Sequence, residues 1–96
     1  MTELDVACVQ AADGWSCRVS ITDADGSATG HTVTVSRGEL DRLAAGHSEP
    51  HLLVNASFRF LLSREPKESI LRRFALSDIE HYFPEYPRAI AARLRG

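Results

Sequence analysis

Between Trp15 and Thr22 apolar and polar residues alternate without a break, so that Trp15, Cys17, Val19 and Ile21 fall on one face and Ser16, Arg18, Ser20 and Thr22 on the other. A period of two belongs to a strand with one buried face, because successive Cβ atoms point to opposite sides of a sheet. Such a strand is not stable alone, and the chain must supply strand partners and a covering layer. Asp13-Gly14, immediately before it, is a hairpin signal, since both central positions of a type I′ turn need positive φ. That turn would set Gln10 opposite Cys17 and Cys8 opposite Val19, with Leu4 to Ala11 as the first strand. On the other side the Gly and Asp content of Asp23 to Gly30 marks a loop. His31 to Val35 then alternates again, with His31, Val33 and Val35 on one face. A three-stranded antiparallel meander over about 4–35 follows.

After Val35 the period changes. Ser36-Arg37-Gly38-Glu39 fits a capping box, in which Ser and Glu satisfy orphan backbone donors reciprocally. Leu40 and Leu43 give the helix it opens an apolar stripe, and Gly46 can stop it. Ser48-Glu49-Pro50 reads as the next helix start. The segment His51 to Glu65 satisfies two patterns. Its even positions from Leu52 to Leu62 are all apolar, as in a strand, while Val54, Phe58, Leu61 and Leu62 suit a helix. Fifteen residues is long for a strand and the entry is capped, so helix is preferred, and Pro66 ends or kinks it. Lys67 to Phe74 is expected to form another short helix. Ser77 with Glu80 reads as a second capping box, opening a helix from Ser77 to Phe83, and a final helix spans about Pro87 to Leu94. The expected fold is therefore α+β, an N-terminal three-stranded antiparallel meander followed by a helical C-terminal half over about 37–95. The 96 residues suffice for one domain with one core.

Composition excludes some classes. With 44% hydrophobic and 25% charged residues the chain is not a disordered one. The net charge of -2 implies no polyanion or membrane partner, but it is unevenly spread. Residues 1–48 carry seven acids and three bases, and residues 49–96 carry six acids and eight bases. The acidic start Met1-Thr2-Glu3-Leu4-Asp5 lacks the basic and apolar regions of a secretory signal, and no apolar run is long enough to span a bilayer, so a cytoplasmic location is expected. Two cysteines are too few for a secreted disulfide framework.

Reactive residues are sparse. Cys8, Cys17 and His31 can share one sheet face, but there is no Cys-x-x-Cys pair and no fourth ligand at useful spacing, so packing as small hydrophobes is favoured over zinc. The hairpin register makes the two cysteines diagonal neighbours, which argues against a disulfide. His47 and His51 are four apart, yet Pro50 lies between them and a surface loop is the better reading. His81 has no assignable nucleophile or orienting carboxylate. Ser69 and Ser77 lack a nucleophile-elbow context, and no Gly-rich phosphate-binding motif occurs. Neither a cofactor nor a metal is expected, and an enzyme is disfavoured.

The basic residues are more informative. Arg64, Lys67, Arg72 and Arg73 bracket Pro66, and Arg88, Arg93 and Arg95 decorate the final helix. A short helix, a Pro-containing turn and a second helix over 77–94 have roughly the lengths of a helix-turn-helix. Against this, cations near a helix C-terminus complement its dipole, and Glu65, Glu68, Asp78 and Glu80 interleave with the first basic cluster as ion-pair surface would. Tyr82-Phe83-Pro84-Glu85-Tyr86-Pro87 supplies aromatic contact area of the kind enriched at interfaces, although at least two of Phe58, Phe60, Phe74 and Phe83 should be committed to the core.

The stretch FRFLLSREPKESILRRFALSDIEHYFPEY, from Phe58 to Tyr86, resembles a segment of small bacterial proteins of about this length that have no assigned activity. The resemblance implies no substrate or cofactor and carries no functional residue across. The reading that emerges is a non-catalytic interaction or regulatory module whose partner is a protein, a second copy included. Its partner surface would be Arg64, Lys67, Arg72, Arg73, Arg88, Arg93 and Arg95 with Tyr82 and Tyr86. The alternatives are a nucleic-acid-binding regulator using the basic C-terminal helices, and a small enzyme or ligand-binding domain.

Overall fold

A computed structural model describes residues 2–44 and 49–95. The expected readings of Gly46, His47 and Ser48 lie outside the described residues. Strands β1 (Glu3–Ala11), β2 (Gly14–Thr22) and β3 (Ala28–Ser36) form the antiparallel meander. Helices α1 (Arg37–Leu43) and α2 (Pro50–Leu62) follow, then a 3-10 turn (Lys67–Ser69), strand β4 (Arg73–Ala75), α3 (Asp78–Tyr82) and α4 (Tyr86–Arg95). The sheet order is β1-β2-β3-β4, with β4 parallel to β3. Parallel neighbours need a crossover, which α1 and α2 provide.

The alternation in β2 buries what it should, since Cys17, Val19 and Ile21 are at most 1% exposed. The hairpin before it departs from expectation. Ala11 pairs with Gly14, so the turn residues are Ala12 and Asp13, and Cys8 lies directly opposite Cys17, to which it is disulfide-bonded. The shift is two residues and leaves every side chain on its expected face. Gly14 is needed for a different reason from the one its turn signal suggests. It sits within the strand, where a Cβ would come 2.0 Å from the Val35 carbonyl oxygen of β3. Among the described residues no non-glycine has positive φ, so the turn at Ala12 and Asp13 is not type I′. Positive φ is used instead at Gly26 (89°), in the β2–β3 loop, where Gly26 N–H donates to Asp23 O and Asp23 N–H to Ser27 O. That pattern is the three-residue hairpin loop closed by a glycine bulge.

The capping box of α1 forms as expected, with Glu39 N–H donating to Ser36 Oγ at 3.1 Å and Ser36 N–H to Glu39 Oε1 at 3.3 Å. Residues 50–62 are helical, with Pro50 in the first turn. Leu53, Val54, Ser57, Phe58, Phe60 and Leu61 are buried at helical spacing, and Leu52, which a strand would have buried, is 44% exposed. The expected helix over 67–74 does not exist. After one 3-10 turn the chain extends, and Thr32 N–H donates to Arg72 O while Leu76 N–H donates to Thr34 O, which docks β4 on β3. The local propensity of this segment yields to an open sheet edge. The second capping box is also absent. Ser77 has helical φ and ψ and makes no cap bond, Glu80 reaches Arg42 instead, and Asp78 Oδ2 accepts from Ala75 N–H.

The helices cover one face of the sheet. Phe58 packs against His31 and Phe74, with centroids 5.6 and 5.8 Å away, while Phe60 meets Phe83 and Tyr86. The Phe60–Phe83 pair meets edge to face and the others are tilted, with no face-to-face sandwich among them. Phe58 and Phe60 thus take the core roles expected of at least two phenylalanines.

Candidate interaction groove

The segment between α2 and α3 is built around Lys67. Its side chain is 3% exposed, and its ammonium donates to Asp23, to Ser27 Oγ at 2.8 Å and to Glu68 Oε2 at 2.7 Å. A buried cation is tolerable only when paired and hydrogen-bonded, and here the β2–β3 loop supplies most of the acceptors. The bond from Lys67 and a second from Thr2 hold the Asp23 carboxyl below its ordinary range, and the same ammonium lowers Glu68. Those carboxylates push Lys67 up in turn. Four residues on, the Leu71 carbonyl can only accept, so His31 Nδ1 donates to it at 2.7 Å, while Thr29 Oγ1 lies 2.8 Å from Nε2. Two buried polar anchors therefore fix the backbone on either side of Ile70.

Ile70 turns inward and is 4% exposed, and the alternation of an extended chain throws Leu71 outward to 54%. Together with α3 this creates a groove of about 230 Å³. Its floor is Leu61, Ile70, Phe74, Ile79 and Phe83, and its rim carries Leu71 and Tyr82, the latter 69% exposed. Ser69, Glu65 and Asp78 also line it. Asp78 also spans the groove wall, because its Oδ2 holds Ala75 N–H at 3.1 Å.

The structure distributes the expected partner residues widely. Tyr82 stands on the groove rim. Tyr86 does not reach the surface, being fully buried with its hydroxyl 2.6 Å from Ser57 Oγ. Ser57 Oγ donates to Leu53 O at 2.7 Å, so the tyrosine hydroxyl is the donor to Ser57, and burial raises its pKa. Lys67 is likewise structural. Arg64 pairs with Glu85 at 3.2 Å and lies 4.8 Å over the Phe60 ring. Arg72 and Arg73 are exposed, Arg73 beside Thr32 in the β3–β4 pairing. Arg88 and Arg93 are exposed on α4 but point about 140° apart, given their five-residue spacing. The side chain of Arg95 lies outside the described residues.

A shallow hollow brings His81 near Ser77, Glu80 and Pro84. No hydrogen bond joins these among the described residues, and the Glu80 carboxylate is engaged by Arg42 at 3.1 Å. His31 and the disulfide-bonded cysteines share the inner sheet face without forming a ligand set, and no cluster of metal-ligating side chains occurs among the described residues. Among the described residues no helix is long and apolar enough to cross a membrane.

Of the expected partner residues, Tyr82 lines this groove, and it stands there beside Leu71, Glu65 and Asp78, which the sequence did not mark as partner residues. The available signal was the pair Ile70-Leu71, which a helix would place on neighbouring sides and a strand on opposite faces. The chain matches no protein-family model, no curated protein and no solved structure.

Proposed function

We propose that this protein is an interaction module that captures an apolar segment of a partner protein in the groove between α2, β4 and α3. The observation that carries this reading is the exposure of Leu71 and Tyr82 on either side of an apolar floor. Exposed bulky apolar side chains around a concave floor are what anchor sites present, and tyrosine is prominent among residues that dominate binding energy. At about 230 Å³ the groove is smaller than the roughly 300–1,000 Å³ of sites that enclose a whole small ligand, and it suits one or two anchoring side chains. Glu65 and Asp78 on its walls favour a lysine or arginine beside the anchor.

Selection from a displayed random-peptide library tests this. The expected consensus is a leucine, phenylalanine or tryptophan with a basic residue within a turn of it. Tyr82→Ala and Leu71→Ala should each weaken a selected peptide about tenfold or more, as truncation of a hot-spot residue does, with little change in melting temperature because both side chains are exposed. Peptides without an apolar anchor, or peptides that bind both variants as well as the parent, would sink the proposal.

A further inference from the structure

The two edges of the sheet are finished differently. Strand β4 is three residues long, and the outward N–H of Ala75 is taken by Asp78. Strand β1 runs for nine residues. The Cα atoms of Cys8 and Cys17 are 4.0 Å apart, which marks a non-hydrogen-bonded pair, and in an antiparallel ladder such pairs alternate with bonded ones. Asp5, Ala7 and Val9 therefore exchange backbone bonds with β2, and the N–H and C=O groups of Leu4, Val6 and Cys8 point away from it. The same alternation carried across the sheet aims Thr32 and Thr34 at β4, where both bond. Among the described residues no group of the chain bonds the outward row of β1. The side chains of Leu4, Val6 and Cys8 are half-buried, whereas their neighbours Cys17, Val19 and Ile21 on the same face of β2 are closed off. An edge this long without a proline is a template for another strand.

We infer that β1 pairs antiparallel with β1 of a second copy of this chain, about a two-fold axis through Val6. Leu4 then meets Cys8 of the second copy, Asp5 meets its Ala7, and Glu3 meets its Val9. Each hydrogen-bonded pair exchanges two bonds, so about six backbone hydrogen bonds form across the axis, and the two sheets become one.

Charge selects this register. An axis through Asp5 sets identical carboxylates face to face, and one through Leu4 sets Glu3 against Asp5, both of which like-charge repulsion opposes. With the axis at Val6, Asp5 faces a methyl group, and the next residue in that row of the second copy is Arg18, the cross-strand partner of Ala7. Two strand spacings, about 9.6 Å, separate Asp5 from Arg18 of the second copy, a gap that an extended arginine closes over alanine. Symmetry makes the ion pair twice. An axis at Ala7 would put Asp5 opposite Val9, with Ser16 beyond it, and no cation in the row.

Sedimentation equilibrium of the full chain tests the pairing. The expected species is a dimer of the 10.6 kDa chain. Asp5→Arg and Arg18→Asp should each raise the dimer dissociation constant about tenfold, and the double variant should return it to within about threefold of the parent, because the ion pair re-forms with reversed polarity. Both residues are exposed, so unchanged melting curves of the monomers separate loss of association from loss of fold. Amide exchange gives a second readout: protection at Leu4, Val6 and Cys8 should rise with protein concentration. A monomer at concentrations up to about 1 mM would overturn the inference. So would a dimer indifferent to either single charge change, one that the double variant fails to restore, or one without concentration-dependent protection at those amides.

Discussion

Reduction of the Cys8–Cys17 bond should destabilise the protein by an amount that the hairpin register sets. The two residues are nine apart, so the bond closes a loop of about ten residues, and the chain-entropy relation assigns such a loop about 2.7 kcal/mol at 25 °C. Little is offset on the folded side. Cys17 is fully buried and Cys8 half-buried in contact with the core, so the reduced thiols keep their packing and no cavity opens. An unfolding entropy of about 2.1 cal/mol/K per residue gives about 200 cal/mol/K for a chain of this length, which converts the loss into a fall of about 13 °C in melting temperature. Calorimetric melts of the oxidised protein and of the protein held in phosphine reductant measure it directly. The double variant Cys8→Ala, Cys17→Ala should melt near the reduced protein without any reductant. Protein purified without reductant should weigh about 2 Da less than its fully reduced form, the mass of the two thiol hydrogens. If both cysteines of the native protein were alkylated without prior reduction, or if reduction moved the melt by less than about 3 °C, the direct pairing of Cys8 with Cys17 would be refuted.

Two further perturbations address buried polar groups. Tyr86→Phe removes a hydroxyl whose acceptor, Ser57, keeps its own bond to Leu53 O, so the loss should stay near 1 kcal/mol, whereas Ser57→Ala strands the tyrosine hydroxyl and should cost about 1–3 kcal/mol. Urea titrations of the pair decide it, and the reverse order would contradict the donor assignment. Lys67→Met should flatten the acid limb of the stability curve. Asp23 and Glu68 have folded-state pKa values below their ordinary 3.8 and 4.5, so their contribution is present above those values and is lost as pH falls through the lowered ones. Lys67, raised above 10.5, contributes fully below that pH and loses its contribution only as pH rises through the raised value. Melting temperatures of the parent should therefore drop more steeply than those of the variant below about pH 4. Parallel curves would show that the ammonium does not set these carboxylates.

Features whose cause is local were legible in the sequence. The faces of β2 and β3, the Ser36–Glu39 box and the Pro50 start depend on residues within a few positions of one another, and each forms in the expected element. The departures share a different origin. Asp13-Gly14 is a sound turn signal taken alone, but the Val35 carbonyl, twenty-one residues on, claims Gly14 for the strand. Lys67 to Phe74 has helix-compatible residues, but the free edge of β3 takes residues 73–75 as a strand. Ser77 and Glu80 have capping-box spacing, yet Arg42 of another helix draws Glu80 away. The candidate site suffered most, since Lys67 and Tyr86 look like surface polar residues until Asp23 and Ser57, both remote in sequence, are placed against them.

The groove depends on that long-range pairing more than on any motif. Were 67–74 a helix, Leu71, Phe74 and Arg72 would be distributed around an axis, and neither Leu71 nor Phe74 would be held where it now stands. As an extended segment, Ile70 and Phe74 enter the core while Leu71 is driven out, and the anchor at Lys67 together with the His31 bond to Leu71 O keeps the alternation in phase. Asp78, which caps the β4 edge, is at once a wall of the groove. The same side chain thus closes one sheet edge to strand addition and presents a carboxylate beside the apolar floor. The segment that ends the sheet at β4 is therefore the one that shapes a side-chain site, and backbone pairing is left to the opposite edge, where β1 is long, uncapped and neutral from Val6 to Ala11.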